Sequence, residues 1–409
     1  MLDPEFFRDP FPAYAACRAE GGVHQAVLPG GPTAWVLTRY EDARAALVDP
    51  RLSKDLSAAG ALFERHTRGS TGGGGSSAPV IRHMLNSDPP DHTRLRRLVG
   101  RAFTAQRMSA LRPVIERITG ELLDVLAERH GVVDLIKEFA FPFATVVLSE
   151  LLGVPEDDRD DFARWASAAV DGTGAAAPDP DQAGLRTLVG YLARLVAARR
   201  AEPGDDTLSL LVAANADADR LTDVELVMTA LLLLVAGHDT MVGLIGNGVF
   251  ALLGDPDQRA ALLADPAVVP GAVEELLRFN GPVNFSTLRY TTAEVGIGGV
   301  TIPAGEFVVV ALGSANHDPH RFTEPDRLDL RRPAGGHLAF GHGTHYCLGA
   351  PLARLAGEVA IPRLLARFPD LRLPADATEV TWLTSGLLRG MESLPVLLDR
   401  KDPTRKGDR

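Results

Sequence analysis

The chain has 409 residues, 45% hydrophobic and 23% charged, the balance of an ordinary globular protein with material for a large core. A formal net charge of −11 argues against a nucleic-acid partner, whose phosphates require a basic surface. Two cysteines, Cys17 and Cys347, leave no disulfide framework and fit a reducing cytoplasm.

The opening Met1–Arg8 carries Asp3, Glu5 and Arg8 with no apolar run, so no secretory signal is expected. Pro4–Pro12 reads as irregular and Ala13–Glu20 as a short helix. Val23–Leu28 and Ala34–Thr38 read as two strands around Pro29-Gly30-Gly31-Pro32, followed by a helix over Glu41–Val48. The low-complexity Gly69–Ser77 lacks the Gly-Lys-Ser/Thr ending of a phosphate loop and reads as a mobile surface loop. Helices are then expected at Asp91–Phe103, Met108–His130, Phe143–Leu152, Asp157–Val170, Leu185–Glu202 and Asp205–Ala214. The stretch Gly172–Asp181 interrupts them with Gly, Ala and Pro, as a flexible loop does.

Thr222-x-x-Glu225 has capping-box spacing and opens a long helix to about Leu253. Its longest apolar stretch, Leu226–Gly237, is shorter than the ~20 residues a bilayer needs, so no membrane span is expected. Shorter helices follow at Pro256–Ala264 and Pro270–Phe279, then strand-like Val283–Tyr290, Val295–Ile302 and Phe307–Leu312. No fixed-period repeat and no separating linker is visible, so residues 1–409 read as one domain. Leu348–Phe368 closes the series as a helix, with Pro351 in its first turn, where no backbone donor is lost.

Two stretches break local rules. Phe340-Gly341-His342-Gly343-Thr344-His345-Tyr346-Cys347-Leu348-Gly349 suits a tight turn that passes close to a flat ligand and ends on one thiol at a helix start. The helix dipole there favours thiolate, the electron-rich ligand an oxygen-activating iron requires. Ala236-Gly237-His238-Asp239-Thr240 sets a glycine and an acid at the centre of a buried helix, where Gly costs ~1 kcal/mol relative to Ala and an unpaired charge costs more. A Thr hydroxyl can bond the carbonyl one turn back or loosen the ladder there.

The pattern Phe-Gly-x-Gly-x-His-x-Cys-x-Gly resembles the cytochrome P-450 family of haem-thiolate monooxygenases, specifically its soluble bacterial members. The resemblance implies a mainly α fold with small β-sheets, a triangular helical prism around a buried haem. Cys347 becomes the iron ligand of haem b, with Phe340 and Gly349 in its loop. Ala236 and Gly237 give the cofactor room, Thr240 holds the distal hydrogen-bond network, and Asp239 supplies protons; His238 has no catalytic role. Met241 stands where many relatives have a second Thr. His92, Arg96, Arg289 and His345 match the family's propionate ligands, and Glu275, Arg278 and Arg327 its buried ionic lock. Zinc is the rival for clustered His and Cys, but no second cysteine stands at zinc spacing.

The implied activity takes O2 and electrons from NAD(P)H through a ferredoxin reductase and ferredoxin, and hydroxylates or epoxidises an apolar small molecule. The wording around residues 84–103 and 237–248 resembles actinobacterial enzymes that tailor macrolides, which points to a polyketide-like or steroid-like substrate. Phenol coupling or a peroxide-driven oxidase on the same iron is the alternative, and a haem-thiolate sensor the alternative of another class. The distal pocket is expected from Asp55–Met84, Ala168–Asp181, Leu232–Thr240, Val283–Leu288 and Ser385–Leu388, with Asn284, Ser286 and Thr287 as its polar exceptions. At ~100° per residue, Arg94, Arg97 and Arg101 form a basic stripe opposite His92 and Arg96, a candidate ferredoxin patch.

Overall fold

The computed structural model describes residues 3–29, 32–67, 83–171, 182–213, 219–374 and 380–398. Gly69–Ser77 and Gly172–Asp181, both expected as loops, lie outside the described residues. The helix Asp223–Gly254 runs through the centre, packed on Phe141–Leu152, Gln182–Ala201, Val269–Asn280 and Ala350–Arg367. Its start is the expected capping box: the Glu225 amide donates to Thr222 Oγ1 at 3.2 Å, and the Thr222 amide to Glu225 Oε2 at 2.7 Å. With 32 residues at mean hydropathy 1.7 it could cross a bilayer by length and composition. Its apolar side chains instead join the largest core cluster, with Phe139, Phe143, Leu148 and Ile361.

Gly246 shows how neighbours come so close: a Cβ there would sit 2.7 Å from Ile136 Cδ1. Ile136–Ala140 forms a π-turn that runs into Phe141–Leu152, so this helical segment begins seven residues before the expected Phe143. The N-terminus differs too, because Asp3 caps a short helix Pro4–Arg8 by accepting from the Phe6 amide at 2.8 Å. Phe11–Ala19 follows as the second helix.

The largest sheet has five strands, in the order Val23–Val27, Thr33–Leu37, Phe307–Val310, Arg289–Thr291, Leu52–Ser53. The first two form the expected antiparallel pair, while Thr33–Leu37 pairs parallel with Phe307–Val310. Val283 and Phe285 make only isolated bridges, to Leu388 and Ala311, and regular strand begins at Arg289. The Ser385–Leu388 turn is thereby tied to this segment, with the Asn284 amide donating to Leu387 O at 2.8 Å.

The helix Val269–Asn280 carries a buried ion cluster. Glu275 accepts from Arg278 Nε at 2.7 Å and Nη2 at 2.8 Å, and both side chains are buried. The third member is Arg332, whose Nε reaches Glu275 Oε1 at 3.1 Å, not the expected Arg327. Arg327 turns outward to Glu324 and Asp329 and contributes only its backbone carbonyl. The meander folds back so that position 332 faces the acid, and Glu275 Oε1 accepts from Arg278, Arg332 and the Asp329 amide together.

Candidate functional site

The cysteine loop is built as its glycines require. Gly341 and Gly343 adopt φ of +71° and +76°, a left-handed backbone that side chains disfavour. The Cys347 amide donates to Phe340 O at 2.9 Å and closes the turn. Gly349 precedes the helix Ala350–Arg367, with Pro351 in the first turn as expected. Backbone amides of Gly349 and Ala350 point at the sulfur and favour thiolate, as do the Arg96 and Arg354 guanidiniums. Burial nevertheless pushes the thiol up, so the helix end alone does not ionise it; a metal would. The residue keeps accessible surface although protein encloses it, so its sulfur looks into an internal cavity. The Phe340 ring backs the loop and carries the Arg354 guanidinium 4.7 Å above its centroid.

Leu244, one turn beyond Thr240, packs with Ala339, Phe340 and Ala350, so the central helix and the cysteine loop border the same space. Ala236 is exposed at mid-helix and Asp239 and Thr240 are partly exposed, which puts one helix face on the cavity. Thr240 Oγ1 donates to Ala236 O at 2.8 Å, the carbonyl one turn back. The helix stays continuous there and no turn is widened. A Cβ at Gly237 would meet Leu148 Cδ2 at 3.0 Å, so its smallness admits the neighbouring helix.

His92, Arg96, Arg289 and His345 do converge. The His92 and His345 rings lie 4.1 Å apart, Arg96 Nη2 donates to Tyr346 O at 2.6 Å, and Arg289 is buried. A fifth basic residue, Lys54, was not anticipated. It is buried, with Nζ 2.5 Å from Thr287 Oγ1, beside Asp88, whose carboxylate accepts from the Lys54 amide at 3.1 Å. Burial first, then Arg289, pushes Lys54 down to about 7. Burial lowers Arg289 to about 10 and His345 to about 2. The one available signal was compositional: Lys54 is one of four lysines in a chain with 42 basic residues, a retained ammonium where arginine is otherwise preferred.

These residues fit haem b. Lys54 and Arg289 lie beside the single carboxylate of Asp88, and Arg96 faces the Cys347 sulfur, so positive charge exceeds negative here among the described residues, as a site for two propionates requires. His92 Nδ1 and Arg289 Nε are buried with no hydrogen-bond partner among the described residues, polar atoms that need an acceptor or donor from a ligand. A soft sulfur on the cavity wall completes the donor set.

The other assignments divide. Asn284 accepts from the Tyr14 hydroxyl at 2.7 Å in the core, Ser286 Oγ accepts from the Val310 amide at 3.0 Å, and Thr287 is held by Lys54. All three expected polar exceptions are engaged by protein, which leaves that wall apolar in character. Two arginines of the basic stripe are paired at the surface: Arg94 with Glu225 and Asp219, and Arg97 with Asp219, which ties Asp91–Gly100 to the segment that opens the central helix.

A family model described as cytochrome P450 matches residues 187–390. Vitamin D(3) 25-hydroxylase of Pseudonocardia autotrophica is 50% identical over 399 residues, 97% of this chain and 96% of that protein. The 6-deoxyerythronolide B hydroxylase of Saccharopolyspora erythraea is 46% identical over 376 residues, 90% of this chain and 91% of that protein. The tirandamycin C-bound P450 monooxygenase TamI superposes with a TM-score of 0.85 at 45% identity, covering 97% of this chain and 99% of that one.

Proposed function

We propose an activity from one premise: the chain belongs to the cytochrome P450 family. It is a monooxygenase that hydroxylates or epoxidises a bulky apolar natural product, of polyketide-like or steroid-like skeleton. The observation that carries this is an accessible Cys347 in a loop that clusters with Leu244 of the central helix, whose Ala236, Asp239 and Thr240 are also left accessible on one face. Haem held on Cys347 would supply reductive activation of dioxygen, inserting one oxygen atom into the substrate while the other leaves as water. Lys54, Arg96 and Arg289 neutralise its propionates, with His92 and His345 as neutral donors. Ala236 leaves the cavity wall low where dioxygen and substrate must fit.

Thr240 has committed its hydroxyl proton to Ala236 O, so its oxygen offers lone pairs to the cavity and can accept a hydrogen bond. Asp239 lies next to it as the proton source. Two protons must reach dioxygen for each substrate oxidised, and the acid–alcohol pair is how this chain moves them. Thr240→Ala is expected to keep haem and substrate binding but divert electrons to hydrogen peroxide, lowering product per NADPH about tenfold, ~1.4 kcal/mol. Tight coupling in that variant would remove Thr240 from the relay.

The apolar Val283–Leu288 wall, its polar groups all engaged by protein, supports recognition by shape and apolar contact. The substrates named for the relatives, vitamin D3, 6-deoxyerythronolide B and tirandamycin C, form the first test panel. Difference spectra of purified holoenzyme, then turnover with a surrogate ferredoxin and its reductase, decide the matter. If none perturbs the spectrum, the substrate class is wrong.

Electrons enter from a ferredoxin reduced by NAD(P)H, in a reducing cytoplasm where Cys17 and Cys347 stay free, and residues 1–409 act as one domain. Docking belongs on the cysteine-loop side, around a cleft of about 430 Å3 lined by Arg44, Arg321, His342, Tyr346 and Arg354. Arg44 is exposed, and Val48, 52% exposed, packs against the loop at Gly343. Arg44→Glu should slow ferredoxin-supported reduction several-fold at low salt, with the difference shrinking above ~0.15 M, where screening acts within ~8 Å. An unchanged rate and salt slope would move the docking site elsewhere.

A further inference from the structure

We propose that His238, held in turn by Thr145, is the positioning residue that fixes the rotamer of Asp239 and leaves one of its carboxylate oxygens free for the cavity. The inference rests on the assignment of Asp239 to proton supply. Successive helix residues point ~100° apart and do not normally touch. Here His238 Nδ1 lies 2.9 Å from Asp239 Oδ1, while its Nε2 lies 3.1 Å from Thr145 Oγ1 on the neighbouring Phe141–Leu152 helix. The imidazole is 1% exposed and meets the Phe141 ring edge-on at 4.5 Å. Asp239, by contrast, retains 26% of its side-chain surface. Its Oδ2 has no protein partner among the described residues. One oxygen is thus anchored and the other is available.

The proton arrangement follows from counting donors. Thr145 can give its hydroxyl proton to Phe141 O, 3.0 Å away, or to His238 Nε2. In the second case a neutral imidazole carries its proton on Nδ1 and donates it to the Asp239 carboxylate, and every group is satisfied with no added charge. In the first, Nε2–H points at Thr145 and the Nδ1 lone pair faces a carboxylate oxygen. Holding 2.9 Å would then need an extra proton at a fully buried site, which costs more. His238 is therefore the Nδ1–H tautomer, set by Thr145.

The arm orients Asp239; it does not feed it protons. Behind Thr145 the only continuation among the described residues is Ser149, whose hydroxyl donates to the Thr145 backbone carbonyl at 2.8 Å, and both residues are buried. Protons must therefore reach Asp239 from its cavity side.

Two measurements on the holoenzyme test this. Nitrogen-15 NMR of histidine-labelled protein in the diamagnetic reduced, carbon-monoxide-bound form should show His238 protonated on Nδ1; an Nδ1 without its proton would overturn the proposal. In turnover of whichever panel compound reacts, His238→Phe keeps the ring against Phe141 but should lower product per NADPH about tenfold, ~1.4 kcal/mol. His238→Asn should recover most of that coupling, because its amide nitrogen takes the place of Nδ1. In an Asp239→Asn background His238→Phe should add nothing, and multiplied effects would sink the positioning role. If Asp239→Asn alone leaves coupling intact, the fault lies in the assignment of Asp239, which separates the two failures.

Discussion

Replacing Cys347 by histidine is expected to abolish turnover and to move the carbon-monoxide-bound, reduced absorption band to the position of a nitrogen-ligated haem. A thiolate is an anionic, polarisable donor, whereas imidazole is neutral and gives the iron far less electron density. The loop is also shaped for sulfur. Amides of Gly349 and Ala350 are aimed at it, and the Cys347 amide closes the turn on Phe340 O, so the loop is set for a side chain that ends at Sγ and imidazole is longer. Cys347→Ser separates size from softness: it fits the loop but offers a hard, weakly acidic donor, and should lose both the band and most of the haem. Cys17→Ser should change neither, since Cys17 is buried in the Phe11–Ala19 helix, away from the loop. Retention of the thiolate-type band in Cys347→His would place the iron on another ligand and undo the assignment.

The cysteine loop and the centre of the long helix were legible because their chemistry is local. Glycines at positive φ, a proline in a first turn and a Thr–Glu capping box each act within five residues of chain. What stayed hidden depends on which side chain turns inward after distant segments meet. Arg327 and Arg332 sit on the same meander, and only the packed fold decides that 332 reaches Glu275 while 327 faces solvent. The close approach of Leu148 to Gly237, from a helix far earlier in the chain, has no signal in the local sequence. Lys54 meets Thr287 and Arg289 only because Leu52–Ser53 pairs with Arg289–Thr291 at the sheet edge. The stripe of Arg94 and Arg97 was correctly placed on one helix face. Its acidic partners at residues 219 and 225 come from a segment distant in sequence, which helix periodicity cannot show.

Glu275→Ala is the second large effect, and it falls on stability before chemistry. Glu275 faces two guanidiniums, Arg278 and Arg332, and also accepts the Asp329 amide at 3.1 Å. Removing the acid leaves Arg278 buried, with backbone oxygens of Asn316 and Pro325 at 2.9 and 2.8 Å as its remaining strong acceptors. Arg332, little exposed, loses its counter-charge as well. Stranding a buried charge in this way costs ~3–5 kcal/mol, against a total stability of ~5–15 kcal/mol for a folded protein. The damage should spread in a definite direction. The meander after Arg332 runs to Leu338, whose amide donates to Asn316 Oδ1 at 2.6 Å, and Leu338 O receives the Gly341 amide at the entry to the cysteine loop. Glu275→Ala should therefore show a lowered melting temperature together with a fall in haem per protein, the haem loss arising from a loosened loop with Cys347 intact. Glu275→Gln keeps the shape and one acceptor and should fall between the two. A Glu275→Ala protein that melts normally with full haem content would mean that the guanidiniums find other partners, and that the lock does not hold the loop.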